Sequence, residues 1–421
     1  MKISPLTVLF LAGTTTATRA AQDTRLRGRN LQNSSGGGGG GGGGGQGGNQ
    51  PPPNGGNGGN QNGGVGGNSA APGDLNVRFN KIEFSDIDTP NFMPLQPNDY
   101  PVVGEIAEFL KHDATAVSVV TADDPELYGG DAQSFINAIG GPPSMPNSDS
   151  NHPFWDDFRQ VVDVQQTRRN GGDPSELLRL PDLWEGKNID EVAEAVHADY
   201  PGALQVELIQ WLWQEGAQLD YDVVPFRSSS DFVGLVIRLA DLNTWAIGAV
   251  APTNFHLKWY VGRPRPEEVA YKIAEGELTA NDGVPQDIIN KIVSMGLGDS
   301  ATAFTAYAEG SPTHPSWPAM HSAASSASFW LAVALDLNGD QYCEALRVDY
   351  AVSYARTVAG VHYPTDNIAG LNLGQQIMAE QLADHFERKY GSDRNEVQAK
   401  IDGLRFDWAN FNPETCSTGP N

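Results

Sequence analysis

Cysteine is scarce in this chain, basic residues are outnumbered, and long apolar runs are missing. The two cysteines, Cys343 and Cys416, are too few for a disulfide scaffold and have no metal-ligand spacing. In an exported protein they could form one disulfide tying the C-terminal tail to the body, and two free thiols are equally compatible with the sequence. The shortage of positive charge, 27 Lys+Arg against 52 Asp+Glu for a formal charge of −25, argues against nucleic acid or an anionic membrane surface as a partner, since both would be repelled. The most apolar region, near residues 231–253, carries Asp231, Arg238 and Asp241, which are costly in lipid, so no membrane span is expected.

What is abundant at the N-terminus is glycine. Before it, Lys2, the apolar stretch Val8–Gly13 and the small-residue end Ala17-Thr-Arg-Ala20 read as a secretory signal over residues 1–20, which predicts a secreted, extracellular protein. The apolar stretch is too short to cross a bilayer, and the competing reading is a buried helix. Arg25, Arg27 and Arg29 follow, either a processing site or a solvated charge run. An unbroken glycine run fills residues 36–45, and Gly, Asn and Pro dominate to about Gly73. Such a segment buries too little apolar surface to offset its chain entropy, so residues 21–73 are predicted to be a disordered leader without catalytic groups.

Residues 74–421 suffice for one large domain, and their periodicity is helical. Val192, Ala193 and Val196, then Leu204, Leu208, Trp211 and Leu212 beyond Pro201, recur at helical spacing. Phe232, Leu235, Val236, Leu239, Leu242 and Ile247 do the same, and residues 318–337 and 366–388 are two further long candidates. Asp336-Leu-Asn-Gly-Asp340 hints at a calcium loop, but its glycine is misplaced and Arg347 stands where a bidentate Glu is needed, so a polar turn between helices fits better.

Three short segments concentrate the reactive side chains: Lys258-Trp-Tyr-Val-Gly-Arg-Pro-Arg265-Pro266, His314-Pro-Ser-Trp-Pro-Ala-Met-His321, and Arg356-Thr-Val-Ala-Gly-Val-His362-Tyr-Pro-Thr-Asp366. Fixed cations, imidazoles and a carboxylate are the parts of an oxyanion cage. Lys258 is expected to end a helix and Arg265 to lie in the loop after it. Pro318 is placed to open a helix continuing through Ala324, Ala327 and Leu331, with the amides of Ala319 and Met320 facing an anion and His321 shuttling protons on its first turn. Pro364 and Thr365 look like another helix start. From its first turn Asp366 can accept a hydrogen bond from one nitrogen of His362, leaving the other as metal ligand or nucleophile. Arg356 can offer the same anion a charge-assisted fork. Taken singly, each element is more often structural; order and spacing together carry the weight.

In that order the segments resemble the signature of the vanadium-dependent haloperoxidases and the related class A acid phosphatases of the type-2 phosphatidic acid phosphatase superfamily. The pattern is Lys, six residues, Arg-Pro; Pro-Ser-Gly-His; and Ser-Arg, five residues, His, three residues, Asp. It reads here as Lys258…Arg265-Pro266, Pro318-Ala319-Met320-His321 and Ala355-Arg356…His362…Asp366, within a similarity running from about Ser230 to His385. The resemblance implies an all-α fold of helical bundles with vanadate at a bundle end. It further implies His362 as the residue bonded to vanadium and Lys258, Arg265, Arg356 and the Met320 amide around its oxygens, with His321 as acid–base. Hydrogen peroxide and halide would be the reactants, small organic molecules the acceptors, and a homodimer is compatible because dimers occur among relatives. His314 resembles the second histidine of the bromide-oxidising branch, which tilts the expected halide toward bromide or iodide. Ala319 and Met320 depart from the pattern, and loss of the serine hydroxyl removes a charge-assisted hydrogen bond worth ~1.5–3 kcal/mol. A soluble acid phosphatase working through a phospho-histidine, and a non-catalytic oxyanion binder, are the alternatives.

Overall fold

A computed structural model describes residues 132–143, 148–220, 223, 232–297, 303–307, 311 and 315–419. The predicted signal, the leader and His314 lie outside these residues, as does the first part of the predicted domain. The described chain is helical: α1 Ala132–Ile139, α2 Pro153–Arg169, α3 Ile189–Gln214, α4 Phe232–Val261, α5 Pro266–Ala274, α6 Gln286–Met295, α7 Met320–Ala324, α8 Ala327–Ala334, α9 Gly339–Val358, α10 Pro364–Tyr390 and α11 Arg394–Leu404. Its strands are a two-residue antiparallel ribbon, β1 Gln218–Leu219 against β2 Leu335–Asp336. The all-α expectation holds. Among the described residues no helix is long and apolar enough to cross a membrane.

Local chemistry explains most boundaries. Asn188 caps α3 in a reciprocal capping box with Glu191, and Asn338 does the same for α9 with Gln341, so the supposed calcium loop is a helix start. Pro266 and Pro364 occupy first positions of α5 and α10, where a missing N–H is harmless. Helix α3 runs through Pro201 without interruption. Gly391 ends α10 in a left-handed conformation that a side chain would resist.

Two expectations fail around His321. Pro318 does not open a helix: Ala319 is the N-cap, and α7 begins at Met320. Nor does one helix span 318–337, because the chain breaks at Ser325–Ser326 and restarts as α8. The cause is distant in sequence. Asp349 of α9 is buried and accepts hydrogen bonds from the Ser328 amide (2.9 Å) and the Ser325 hydroxyl (3.2 Å), so its carboxyl caps α8. Burial pushes the Asp349 pKa up to about 7, against the pull of those serines.

The helices pack pairwise, α9 on α3 and the short α7 on α10 most extensively, with α4 beside α3, α7 and α10. One apolar cluster joins Phe154, Trp155, Phe158, Val161 and Val162 of α2 to Val269, Ile273, Ile288 and Ile292. It reaches Tyr363, the residue after His362. Cys343 of α9 and Cys416 of the tail are disulfide-bonded across 73 residues, closing the second cluster of Leu346, Leu371, Trp408 and Phe411. A loop of that length makes the bond worth up to about 4 kcal/mol in the chain-entropy account. Reduction is therefore expected to lower the thermal midpoint by several degrees in a melt with and without reductant, and an unchanged midpoint would count against a stabilising role.

Candidate active site

Helix α4 delivers Lys258 on its last turn, and the chain leaves the helix through Gly262 at φ 70°, a conformation open to glycine. Arg263 and Arg265 follow on a short connection held by two prolines, with Arg265 as N-cap of α5 and Glu268 accepting from the Arg265 amide (3.0 Å). Arg356 closes α9, and a turn then presents His362 just before α10. Lys258, Arg263, Arg265, Arg356, His362 and Asp366 are all buried. His321 is only partly covered, so it stands at the rim. Met320 is buried beside it.

These groups converge on one imidazole. Asp366 Oδ2 lies 3.2 Å from His362 Nδ1 and also accepts from the Tyr363 amide (3.1 Å) and the Ser316 hydroxyl. Ser316 Oγ is 3.3 Å from the same Nδ1. On the other side His362 Nε2 is 2.9 Å from Nη1 of Arg265, which also donates to the Val361 carbonyl. A guanidinium can only donate, so Nε2 must offer its lone pair and Nδ1 must carry the proton. Burial, then Arg265, Lys258, His321 and Arg356 in that order, hold the His362 pKa well below its ordinary value. The ring is a neutral imidazole in a positive field, with its basic nitrogen facing Arg265.

Lys258 points the same way. Its ammonium donates to the carbonyls of Pro315 (3.1 Å) and Ser316 (2.8 Å). Burial and the neighbouring Arg265 lower its pKa well below normal, while Asp366 opposes them. Bringing an anion to this place would relieve both effects. Arg356 donates to the Ala193 carbonyl of α3 (3.1 Å) and lies over the Tyr307 ring at 5.5 Å.

Of the two amides expected to face an anion, Ala319 and Met320, the first is otherwise engaged. Ala319 N–H donates to the Asp366 carbonyl (3.0 Å), so it clips α7 to α10 instead. The anchorage of α7 is completed by Asn254 donating to the Pro318 carbonyl (3.3 Å) and Gln205 to the Ala324 carbonyl (2.9 Å). Three residues absent from the expected site belong to it by contact: Ser316, Arg263 and Asp157. Arg263 had a signal in its own Arg-Pro pair beside Arg265. Asp157, in α2 about a hundred residues earlier, had none.

Residues 239–386, from within α4 to the last turns of α10, match the model of the PAP2 superfamily. The match supports placing this segment in the PAP2 superfamily. Every described residue of the expected site falls inside it, whereas Asp157 does not. The PAP2 superfamily comprises phosphatase- and haloperoxidase-type enzymes. The chain is also 25% identical over 274 residues to a vanadium-dependent bromoperoxidase of Ascophyllum nodosum, an alignment taking in 54% of this chain and 48% of the relative. The chain thus spans about half the length of the curated relative it matches.

Proposed function

We propose that the PAP2 domain of this chain binds vanadate and that the protein is a secreted vanadate-dependent haloperoxidase. It would use hydrogen peroxide to oxidise bromide or iodide in preference to chloride, and the hypohalous acid equivalent would halogenate small organic acceptors. The observation that carries this reading is the neutral His362, whose Nε2 lone pair faces Arg265 while Lys258, Arg356 and His321 supply the surrounding field. A lone pair in a cationic nest is the donor set that a tetrahedral oxyanion of a Lewis-acidic metal requires.

The residues fit the group on one condition. Arg265 Nη1 must give up its bond to Nε2, and the guanidinium then serves the oxyanion's oxygens. When bound, vanadate supplies Lewis-acid activation of peroxide. Lys258, Arg265 and Arg356 neutralise charge, Asp366 and Ser316 keep the proton on Nδ1, and His321 at the rim exchanges protons with incoming peroxide. His314 keeps the halide role suggested by sequence.

The same lone pair could attack a phosphoryl group, so phosphomonoester hydrolysis is the second reading. Purified protein given vanadate, peroxide and bromide is expected to brominate a phenol-type dye, with hydrolysis of p-nitrophenyl phosphate negligible. Vanadate-inhibited hydrolysis without bromination would favour the phosphatase, and neither activity in protein that binds vanadate would leave an oxyanion-binding protein.

A further inference from the structure

Behind the imidazole lies a second, fully buried layer of charge. Arg263 Nη1 is 2.6 Å from Asp366 Oδ1, and Nη2 is 2.7 Å from Asp157 Oδ2. The guanidinium lies over the Tyr363 ring at 3.7 Å. Thr365 closes the circuit: its hydroxyl accepts from Arg263 Nη1 (2.8 Å) and donates to Asp157, whose Oδ1 accepts from the Thr365 amide (3.2 Å). Burial opposes the Arg263 charge, but Asp366 and Asp157 outweigh it and raise its pKa above the usual value.

The division of labour at Asp366 is specific. Arg263 takes Oδ1, and Oδ2 is left for His362, Ser316 and the Tyr363 amide. A carboxylate held on one oxygen by a guanidinium is restrained in rotation, which keeps the other oxygen directed at the imidazole N–H. Stability alone gives a weak reason for this arrangement, because a buried ion-pair triad is often no more stable than apolar residues of similar volume. A need for fixed geometry gives a stronger one.

We propose that Asp157 and Arg263 are positioning residues that act through Asp366 to fix the ring plane and tautomer of His362 for oxyanion binding. This rests on the oxyanion-site reading above. It also makes α2, outside the family-matched segment, part of the working site.

The test uses the full chain and three variants: Asp157→Asn, which is isosteric, Arg263→Lys, which cannot fork, and Thr365→Val, which removes one hydroxyl. Imidazole nitrogen NMR of the vanadate-free protein reads the His362 tautomer, its signal identified by loss in His362→Ala. Calorimetry reads vanadate affinity. The expected result is a shift of the His362 signal toward a tautomer mixture, with about a 10-fold loss of vanadate affinity, the lower end for a partner of a metal-binding histidine. Asp157→Asn added to Asp366→Asn should cost little further, since both act on one path. A native ring signal and native affinity in any variant of Asp157 or Arg263 that folds would overturn the proposal, whatever its melting point, as would additive losses in the double variant. Should Arg263→Lys or Asp157→Asn not fold, Thr365→Val is read by the same criteria. If wild type binds no vanadate, the haloperoxidase reading fails, while the ring signal still decides the clamp.

Discussion

His362→Ala is expected to lower vanadate affinity by at least about 100-fold while leaving phosphate affinity within about 10-fold of wild type. Loss of a group that merely orients a metal-binding histidine costs roughly 10–100-fold, and loss of the ligand itself should exceed that. Phosphate, by contrast, is held by charge. Lys258 stays anchored on the Pro315 and Ser316 carbonyls, Arg265 on the Val361 carbonyl and Arg356 on the Ala193 carbonyl, none of which involves the imidazole ring. Removing the ring also frees Arg265 Nη1 from Nε2, which favours a bound oxygen. Calorimetric titration of both anions into wild type and variant checks the split. Equal loss of both would show that the ring only shapes the cage, and equal retention would show that vanadate is held there without a bond to nitrogen. Bromination and phosphomonoester hydrolysis should both vanish, since each reading needs the Nε2 lone pair.

How far the sequence led can be judged at the same residues. Lys258, Arg265, Arg356, His362 and Asp366 were legible because each sits beside local punctuation, a proline, a helix end or a four-residue offset, that fixes its position independently of the rest of the fold. The hydrogen bond from His362 to Asp366 needed only that offset and a helix start at Pro364. The break between α7 and α8 was not legible. Ser322-Ala-Ala-Ser-Ser-Ala-Ser328 has no Gly or Pro, and it stops at Ser325 because Asp349 competes for its serines from another helix. For the same reason the engagement of the Ala319 amide is hidden: its acceptor, the Asp366 carbonyl, lies 47 residues away in a sequence that offers no hint of the contact. Asp157 is the extreme case, an acidic residue on an amphipathic helix whose partner becomes apparent only when α2 and the α4–α5 connection meet.

With no hydroxyl at Ala319, and its amide bonded to the Asp366 carbonyl, the site rests more on side-chain charge than on backbone donors. That shifts the burden of precision onto how α7 is placed against α10, because His321 is on one and His362 immediately precedes the other.

Gly370 and Gly374 set that placement, and substituting them is expected to have the other large effect. A Cβ at Gly370 would strike the Ala319 carbonyl and come within 2.7 Å of Ser322 Cβ; one at Gly374 would strike the Ala323 carbonyl and come within 3.0 Å of Ser326 Cβ. The obstacles are mostly backbone, which cannot rotate aside. Alanine improves helix propensity by about 1 kcal/mol over glycine, whereas overpacking a dense interface costs about 1–3 kcal/mol. Here the clash should win, because α7 is also tied at Pro318, Ala319 and Ala324 by Asn254, the Asp366 carbonyl and Gln205 and has nowhere to yield. Gly374→Ala and Gly370→Ala are therefore expected to lower stability by about 1–3 kcal/mol each in chemical denaturation. The effect on turnover should be larger than stability alone suggests. A displacement of α7 by about 1 Å carries His321 away from His362, and such a misplacement can cost about 100-fold in rate. Variants that fold, bind vanadate normally and turn over at the wild-type rate would show that His321 and His362 need no fixed separation.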